Sequence, residues 1–316
     1  MSPPAAKPLY ILSFDHRGSF KKGLMGIAGE PTQQERRRIS ELKALIYDGF
    51  ERAIADGAPR HSCGVLVDEE FGTDIARAAR SEGFTLAMPV ERSGQDEFDF
   101  EFGEEFAEHI EAFDPDFAKV LVRYNPDGDA ELNRRQAKRL ARLSGWLHAH
   151  DRKFLFELLV PATAAQLDQV AGDKDAYDCD LRPALVVRTL AELQDAGVEP
   201  DIWKIEGLEA REDCEHVVDQ AQADGRKDVR CVVLGRGADL GRVAHWLKVA
   251  APVAGYVGLA IGRTIWLQAL SEHQAGRLER EAAVTQIAAN YRQMIDVYAD
   301  AAASAREHSA HTAHRA

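Results

Sequence analysis

The sequence predicts an α/β fold, a (β/α)8 barrel of eight parallel strands in a single domain. Three observations carry that prediction. Eight short β-rich runs recur along 316 residues, helical patterning separates each from the next, and no Pro/Gly/Ser-rich linker divides the chain. Strands that alternate with helices build a parallel sheet, and eight such units suit a closed barrel. A doubly wound open sheet is the rival arrangement for the same alternation.

The runs follow one another in order. LYILSFD (9–15) is the first, followed by helical QERRRISELKALIYDGFERAIADG, and CGVLVDEEFG (63–72) is the second, followed by helical TDIARAARSEG. FTLAMPVE (84–91) and FAKVLVRYNP (117–126) are third and fourth. The amphipathic stretch DAELNRRQAKRLARLSGWLHAHD leads to the fifth, KFLFELLVP (153–161), and LRPALVVRTLAELQDAG leads to the sixth, DIWKIEGLE (201–209). RCVVLGRG (230–237) and GYVGLAIGRT (255–264) are the last two. The barrel is expected to occupy residues 1–300, with the small, polar tail 301–316 disordered.

Composition narrows the function. Net charge is −13, so no nucleic-acid partner is expected. The densest basic stretch, QERRRISELK, reads as the solvated face of a helix. The longest uncharged apolar run, VAAPVAGYVGLAIG, has 14 residues, too few to span a membrane. The N-terminus lacks the pattern of a signal peptide, and the four cysteines form no CxxC pair, which together suit a reduced cytoplasm.

Charges inside apolar strands point to the site. Side chains alternate along a strand. Lys119 therefore shares a face with Leu121 and Arg123, Glu157 with Leu155 and Leu159, and Lys204 with Ile202 and Glu206. Buried charges are costly unless paired, and an apolar trio is often at least as stable. Three on successive strands therefore suggest chemistry. A lysine beside a second cation is a nucleophilic amine, able to form a Schiff base with a ketone, and a nearby carboxylate can move the protons. Strand faces alone leave open whether Lys204 or Lys119 is the nucleophile.

The seventh and eighth runs add an anion site. Gly235, Arg236 and Gly237 follow one strand, and Gly262 and Arg263 follow the next. Barrels hold phosphate on such loops through backbone N–H groups and a helix N-terminus. At the mouth of the first strand stand Asp15, His16 and Arg17. Asp68 and Glu69 end the second run and Glu91 the third, each readable as a loop acid or a site group. Gln95 in the ERSGQ loop is a candidate hydrogen-bond donor, and Arg123 is a candidate for a second anionic end of the substrate; Arg92 is weaker. Only His16 lies at a strand end among the histidines, and those of LHAHD precede a strand, so no catalytic metal is expected.

These residues carry a family resemblance. LSFDHRGSF, VDEEFG, PVERSGQDEFDFEFG, KVLVRYNPDGD, FLFELLVPAT, DIWKIEGLE, VVLGRG and GYVGLAIGRTIW resemble the aldolase-like domain (DUF2090 type) associated with the 5-dehydro-2-deoxygluconokinase of inositol catabolism. That domain is itself similar to class I tagatose-bisphosphate and sulfofructose-phosphate aldolases. The resemblance covers about residues 9 to 270, without the kinase half. It implies a Schiff-base aldolase, free of metal and cofactor, acting on a phosphorylated keto sugar. It assigns the Schiff base to Lys204, acid/base work to Glu157, polar contacts to Asp15 and Lys119, and phosphate binding to the glycines of the last two loops with Arg263.

The function expected is cleavage of 5-dehydro-2-deoxygluconate 6-phosphate to dihydroxyacetone phosphate and malonate semialdehyde. The alternatives are a related aldolase for tagatose bisphosphate or sulfofructose phosphate, and a non-catalytic barrel that binds a sugar phosphate and regulates a partner. A homo-oligomer is the default expectation for such a barrel.

Overall fold

The computed structural model describes residues 7–313. Strands β1 (Leu9–Ser13), β2 (Cys63–Leu66), β3 (Thr85–Pro89), β4 (Phe117–Arg123), β5 (Lys153–Leu159), β6 (Ile202–Glu206), β7 (Arg230–Leu234) and β8 (Tyr256–Ile261) pair in parallel in chain order. β8 returns to pair with β1 and closes the barrel. The predicted (β/α)8 architecture is therefore present, and the open sheet is not.

Helices α1 (Gln33–Ala55), α2 (Glu69–Ser81), α3 (Phe106–Phe113) and α4 (Ala130–Ala149) follow the first four strands. The β5–β6 connection holds α5 (Ala164–Gln169), a single turn α6 (Lys174–Ala176) and α7 (Arg182–Asp195). Then come α8 (Arg211–Ala221), α9 (Leu240–Ala250), α10 (Arg263–Gln274) and α11 (Arg280–Ala313). α11 runs on past residue 300, the expected end of the domain, and residues 314–316 lie outside the described part. Among the described residues no helix is long and apolar enough to cross a membrane.

The strands are shorter at their C-terminal ends than the apolar runs suggest. In CGVLVDEEFG the strand stops at Leu66, and Asp68 caps α2 by accepting from the Phe71 N–H at 2.9 Å. An Asp followed by two Glu is the usual chemistry of a helix start, so DEEFG belongs to the helix. A π-helical turn over Ser19–Leu24 follows β1 without a sequence signal. One residue of the basic stretch QERRRISELK also departs from expectation. Lys43 shares the inner face of α1 with Ile39, Leu42 and Ile46 and is fully buried.

Two apolar regions hold the barrel. The larger lies between strands and helices, where Trp266 of α10 donates to the Ser13 carbonyl (2.9 Å) and Tyr291 of α11 to the Tyr10 carbonyl (2.6 Å). Both anchors bury an aromatic body while satisfying its polar tip. The smaller fills the barrel interior and includes Ile11, Leu66, Phe117, Leu155, Ile202, Val232 and Ala260. Above this floor, toward the C-terminal ends of the strands, the inward positions include the polar Ser13, Lys119, Glu157, Lys204 and Glu206. Active sites of such barrels occupy that end.

Candidate active site

Strand register brings the sixth strand's charge beside the fifth's. Leu121, Glu157 and Lys204 are successive cross-strand partners, so Glu157 and Lys204 lie at one level of the barrel. Lys119 pairs with Leu155, one inward layer lower. Its four-carbon stem spans the difference. Lys119 Nζ lies 2.8 Å from Asp15 Oδ2, 2.8 Å from Glu91 Oε1 and 3.1 Å from Glu157 Oε2. Lys204 Nζ lies 3.0 Å from that same Glu157 oxygen and 3.4 Å from Ser13 Oγ. Asp15, Lys119, Glu157 and Lys204 thus form one buried cluster.

The electrostatics differ from group to group. Burial disfavours the charge on Lys119, but Asp15, Glu157 and Glu91 outweigh it and raise its pKa above the ordinary lysine value. Burial raises Asp15 and Glu157, yet the neighbouring cations prevail and hold both below the usual carboxylate range. Glu91 goes the other way. Burial lifts its pKa above the ordinary value against Lys119 and Arg17, and among the described residues its Oε2 has no hydrogen-bond partner. Two buried glutamates at one lysine are therefore pushed in opposite directions, a pattern that separates acid from base in active sites.

A cavity of about 640 Å3 opens over the Asp15, Lys119 and Glu157 part of the cluster on the β1–β5 side, bordered also by His16, Glu91 and Arg123. His16 stands edge-on to Trp266, and burial pushes its pKa down to about 4 against the pull of Asp15. Arg17 borders the same cavity, but its guanidinium is already engaged by protein groups. It is buried, donating to the Glu91 carbonyl (2.7 Å) and pairing with Glu101 (2.8 Å), so it ties the β1 loop to the β3 loop. Arg123 donates to the Gln95 carbonyl at 2.9 Å, joining the two rim residues, while the Gln95 side chain stays exposed.

The β7 and β8 loops lie on the other side. Gly237 has φ +79°, and a Cβ there would press on the Arg263 guanidinium at 3.1 Å. Gly262 packs so tightly that a Cβ would collide with the Ser13 carbonyl and sit 2.8 Å from His16. These two glycines and Arg263 come together, with Arg263 Nη2 donating to the Arg236 carbonyl at 3.3 Å. Gly235 is buried beneath them, against Ile261 and Thr264. Arg236 itself reaches away, to Asp178 (2.7 Å) and Glu206 (3.2 Å). The cluster of Asp178, Arg182, Glu206 and Arg236 is an ion-pair group that sequence reasoning did not identify. Its only signal was Glu206, two residues beyond Lys204 on the same strand face. Ser13 was also missed, since a lone serine in a strand carries no pattern.

With this geometry in hand, comparison with known proteins gives two findings. The family described as "Uncharacterized protein conserved in bacteria (DUF2090)" matches residues 2–302. The tagatose 1,6-diphosphate aldolase of Listeria monocytogenes serotype 4b (strain CLIP80459) is 27% identical over 201 residues, covering 62% of this chain and 54% of the relative. Tagatose 1,6-diphosphate aldolase 1 of Streptococcus pyogenes serotype M1 is 24% identical over 200 residues, covering 62% and 57%. The chain therefore spans little more than half the length of these curated relatives.

Proposed function

The chain belongs to the DUF2090 family, and from its similarity to tagatose 1,6-diphosphate aldolases together with the paired lysines we propose that it is a class I, Schiff-base aldolase for a phosphorylated keto sugar. The observation that carries the reading is the unequal setting of the two lysines. Lys119 is enclosed by three carboxylates and kept protonated. Lys204 meets one carboxylate and one hydroxyl. Lys204 is the better placed nucleophile, and Lys119 the fixed cation.

In the proposed reaction the Lys204 amine adds to the C5 ketone of 5-dehydro-2-deoxygluconate 6-phosphate, and loss of water gives an iminium. Glu157, or a water it holds, takes the proton of the 3-hydroxyl. The C3–C4 bond breaks, its electron pair moving into an enamine on Lys204 while C3 becomes the aldehyde of malonate semialdehyde. Protonation at C4 and addition of water then release dihydroxyacetone phosphate and restore the amine. Arg263, with the Gly237 and Gly262 loops, would take the phosphate.

A second reading is tagatose 1,6-bisphosphate as substrate. It is favoured by the names of the curated relatives and by a cavity bordered by Lys21, Lys22, Arg92 and Arg123, able to receive a second anion. Both readings share the Schiff base. Borohydride reduction in the presence of dihydroxyacetone phosphate, followed by digestion and mass spectrometry, tests it. An adduct on Lys204 supports the class, and no adduct on a folded protein overturns it. Direct comparison of cleavage of the two substrates then separates the readings.

A further inference from the structure

Lys43 and Asp68 form a buried ion pair outside the cluster, with side chains 0% and 1% exposed. Lys43 Nζ also donates to the Phe14 carbonyl at 2.7 Å. That carbonyl has a particular place. The β1 ladder ends at Ser13, and the Phe14 N–H still reaches the Leu66 carbonyl at 2.8 Å. Beyond it Lys43 supplies the donor that a neighbouring strand no longer supplies. The two residues flanking Phe14 are the inward-facing ones. Ser13 Oγ lies 3.4 Å from Lys204 Nζ, and Asp15 Oδ2 lies 2.8 Å from Lys119 Nζ.

An apolar pair at positions 43 and 68 would often hold a fold as well as a buried ion pair. The charge calls for another reason. Asp68 is fixed on its second oxygen by the Phe71 N–H, and the Lys43 ammonium sits 5.0 Å from the Phe20 ring centroid. The lysine is thus held from below and beside, with its remaining reach directed at one peptide of the site.

We propose that Lys43 is a positioning residue: through the Phe14 carbonyl it sets Asp15 against Lys119 and Ser13 against Lys204, with Asp68 holding its ammonium. This rests on the aldolase reading above. Lys43→Met alone would leave Asp68 buried without its cation, so the test uses the neutralised pair K43M/D68N, in which the side-chain amide introduced at position 68 can still cap α2. The probe is dihydroxyacetone phosphate, and the rate of borohydride-trapped adduct is measured against its concentration. A misplaced site group slows the reaction by about tenfold to a hundredfold, so the maximal rate should fall by that much while the half-saturating concentration is unmoved. D68N alone keeps the donor but loosens it, and a smaller fall in the maximal rate is expected on the same ground. It also serves if the double variant does not fold. A wild-type maximal rate in either folded variant overturns the proposal, whatever the change in melting temperature. A wild-type protein that forms no adduct overturns the aldolase reading instead, and the positioning role with it.

Discussion

Lys119 and Lys204 are held by the same oxygen, Oε2 of Glu157, at 3.1 and 3.0 Å. The two ammonium groups are not equivalent in what else they touch. Among the described residues Lys119 has two further carboxylates, whereas Lys204 has only the Ser13 hydroxyl. Removing either therefore has a different consequence, which makes the arrangement testable residue by residue.

Lys204→Met should keep the fold and lose the chemistry. Glu157 retains Lys119 as its counter-ion, so no buried carboxylate is stranded. Loss of the nucleophile should lower turnover by about a thousandfold or more and remove the borohydride adduct. Urea unfolding and adduct mass spectrometry on one preparation check both halves. Undiminished turnover would falsify the assignment of Lys204.

Lys119→Met should cost stability first. It leaves Asp15, Glu91 and Glu157 facing one another without their common cation. Stranding a buried charge costs about 3–5 kcal/mol, a shift that the denaturation midpoint would register. A variant as stable as wild type would mean that these carboxylates take up protons to compensate, and its stability would then fall as pH is raised.

The sequence makes the barrel and the clustering of Lys119, Glu157 and Lys204 legible for a physical reason. A lysine or glutamate in the middle of an apolar strand breaks a strong pattern, and Lys119, Glu157 and Lys204 each do so. Where the pattern is weak, the reading goes astray. Lys43 sits among arginines and glutamates in α1, and only its spacing from Ile39, Leu42 and Ile46 reveals an inward face. Arg17 and Arg236 occupy mouth loops, where an arginine suits an anion and an internal carboxylate equally well. Which one it meets depends on Glu101 and Asp178, 84 and 58 residues away in sequence. No local pattern carries that information.

His16 should make stability depend on pH in a defined window. In the unfolded chain it titrates near 6.5 and in the folded protein near 4. Between those values the unfolded state binds more protons, so stability falls as pH drops from 6.5 toward 4. The full effect is at most about 3 kcal/mol, lessened because the side chain keeps 26% of its surface open to solvent. Asp15 and Glu157, lowered on folding, add stability that is also lost in acid, below their unfolded values. Comparing wild type with His16→Asn isolates the histidine. The gap between their unfolding free energies should change across pH 4 to 6.5 and stay flat above it; a constant gap removes His16 as the source.

Arg263 and Arg236 should separate binding from structure. Arg263 is only half-buried, and its described contact is to a carbonyl, that of Arg236, at 3.3 Å. A phosphate replacing that long contact would gain a charge-assisted bond. Arg263→Ala should therefore raise the half-saturating concentration of dihydroxyacetone phosphate by about tenfold to a hundredfold, without affecting the response to unphosphorylated dihydroxyacetone. Arg236 is already engaged by Asp178 and Glu206. Its loss leaves Glu206, raised by burial, with Arg182 at 4.0 Å as its nearest remaining cation among the described residues. Arg236→Ala should thus lower the unfolding midpoint more than it weakens the phosphate response. If instead Arg236→Ala abolished discrimination between the two ketones and Arg263→Ala left it intact, the phosphate would belong on Arg236, and its ion pairs with Asp178 and Glu206 would have to open on binding.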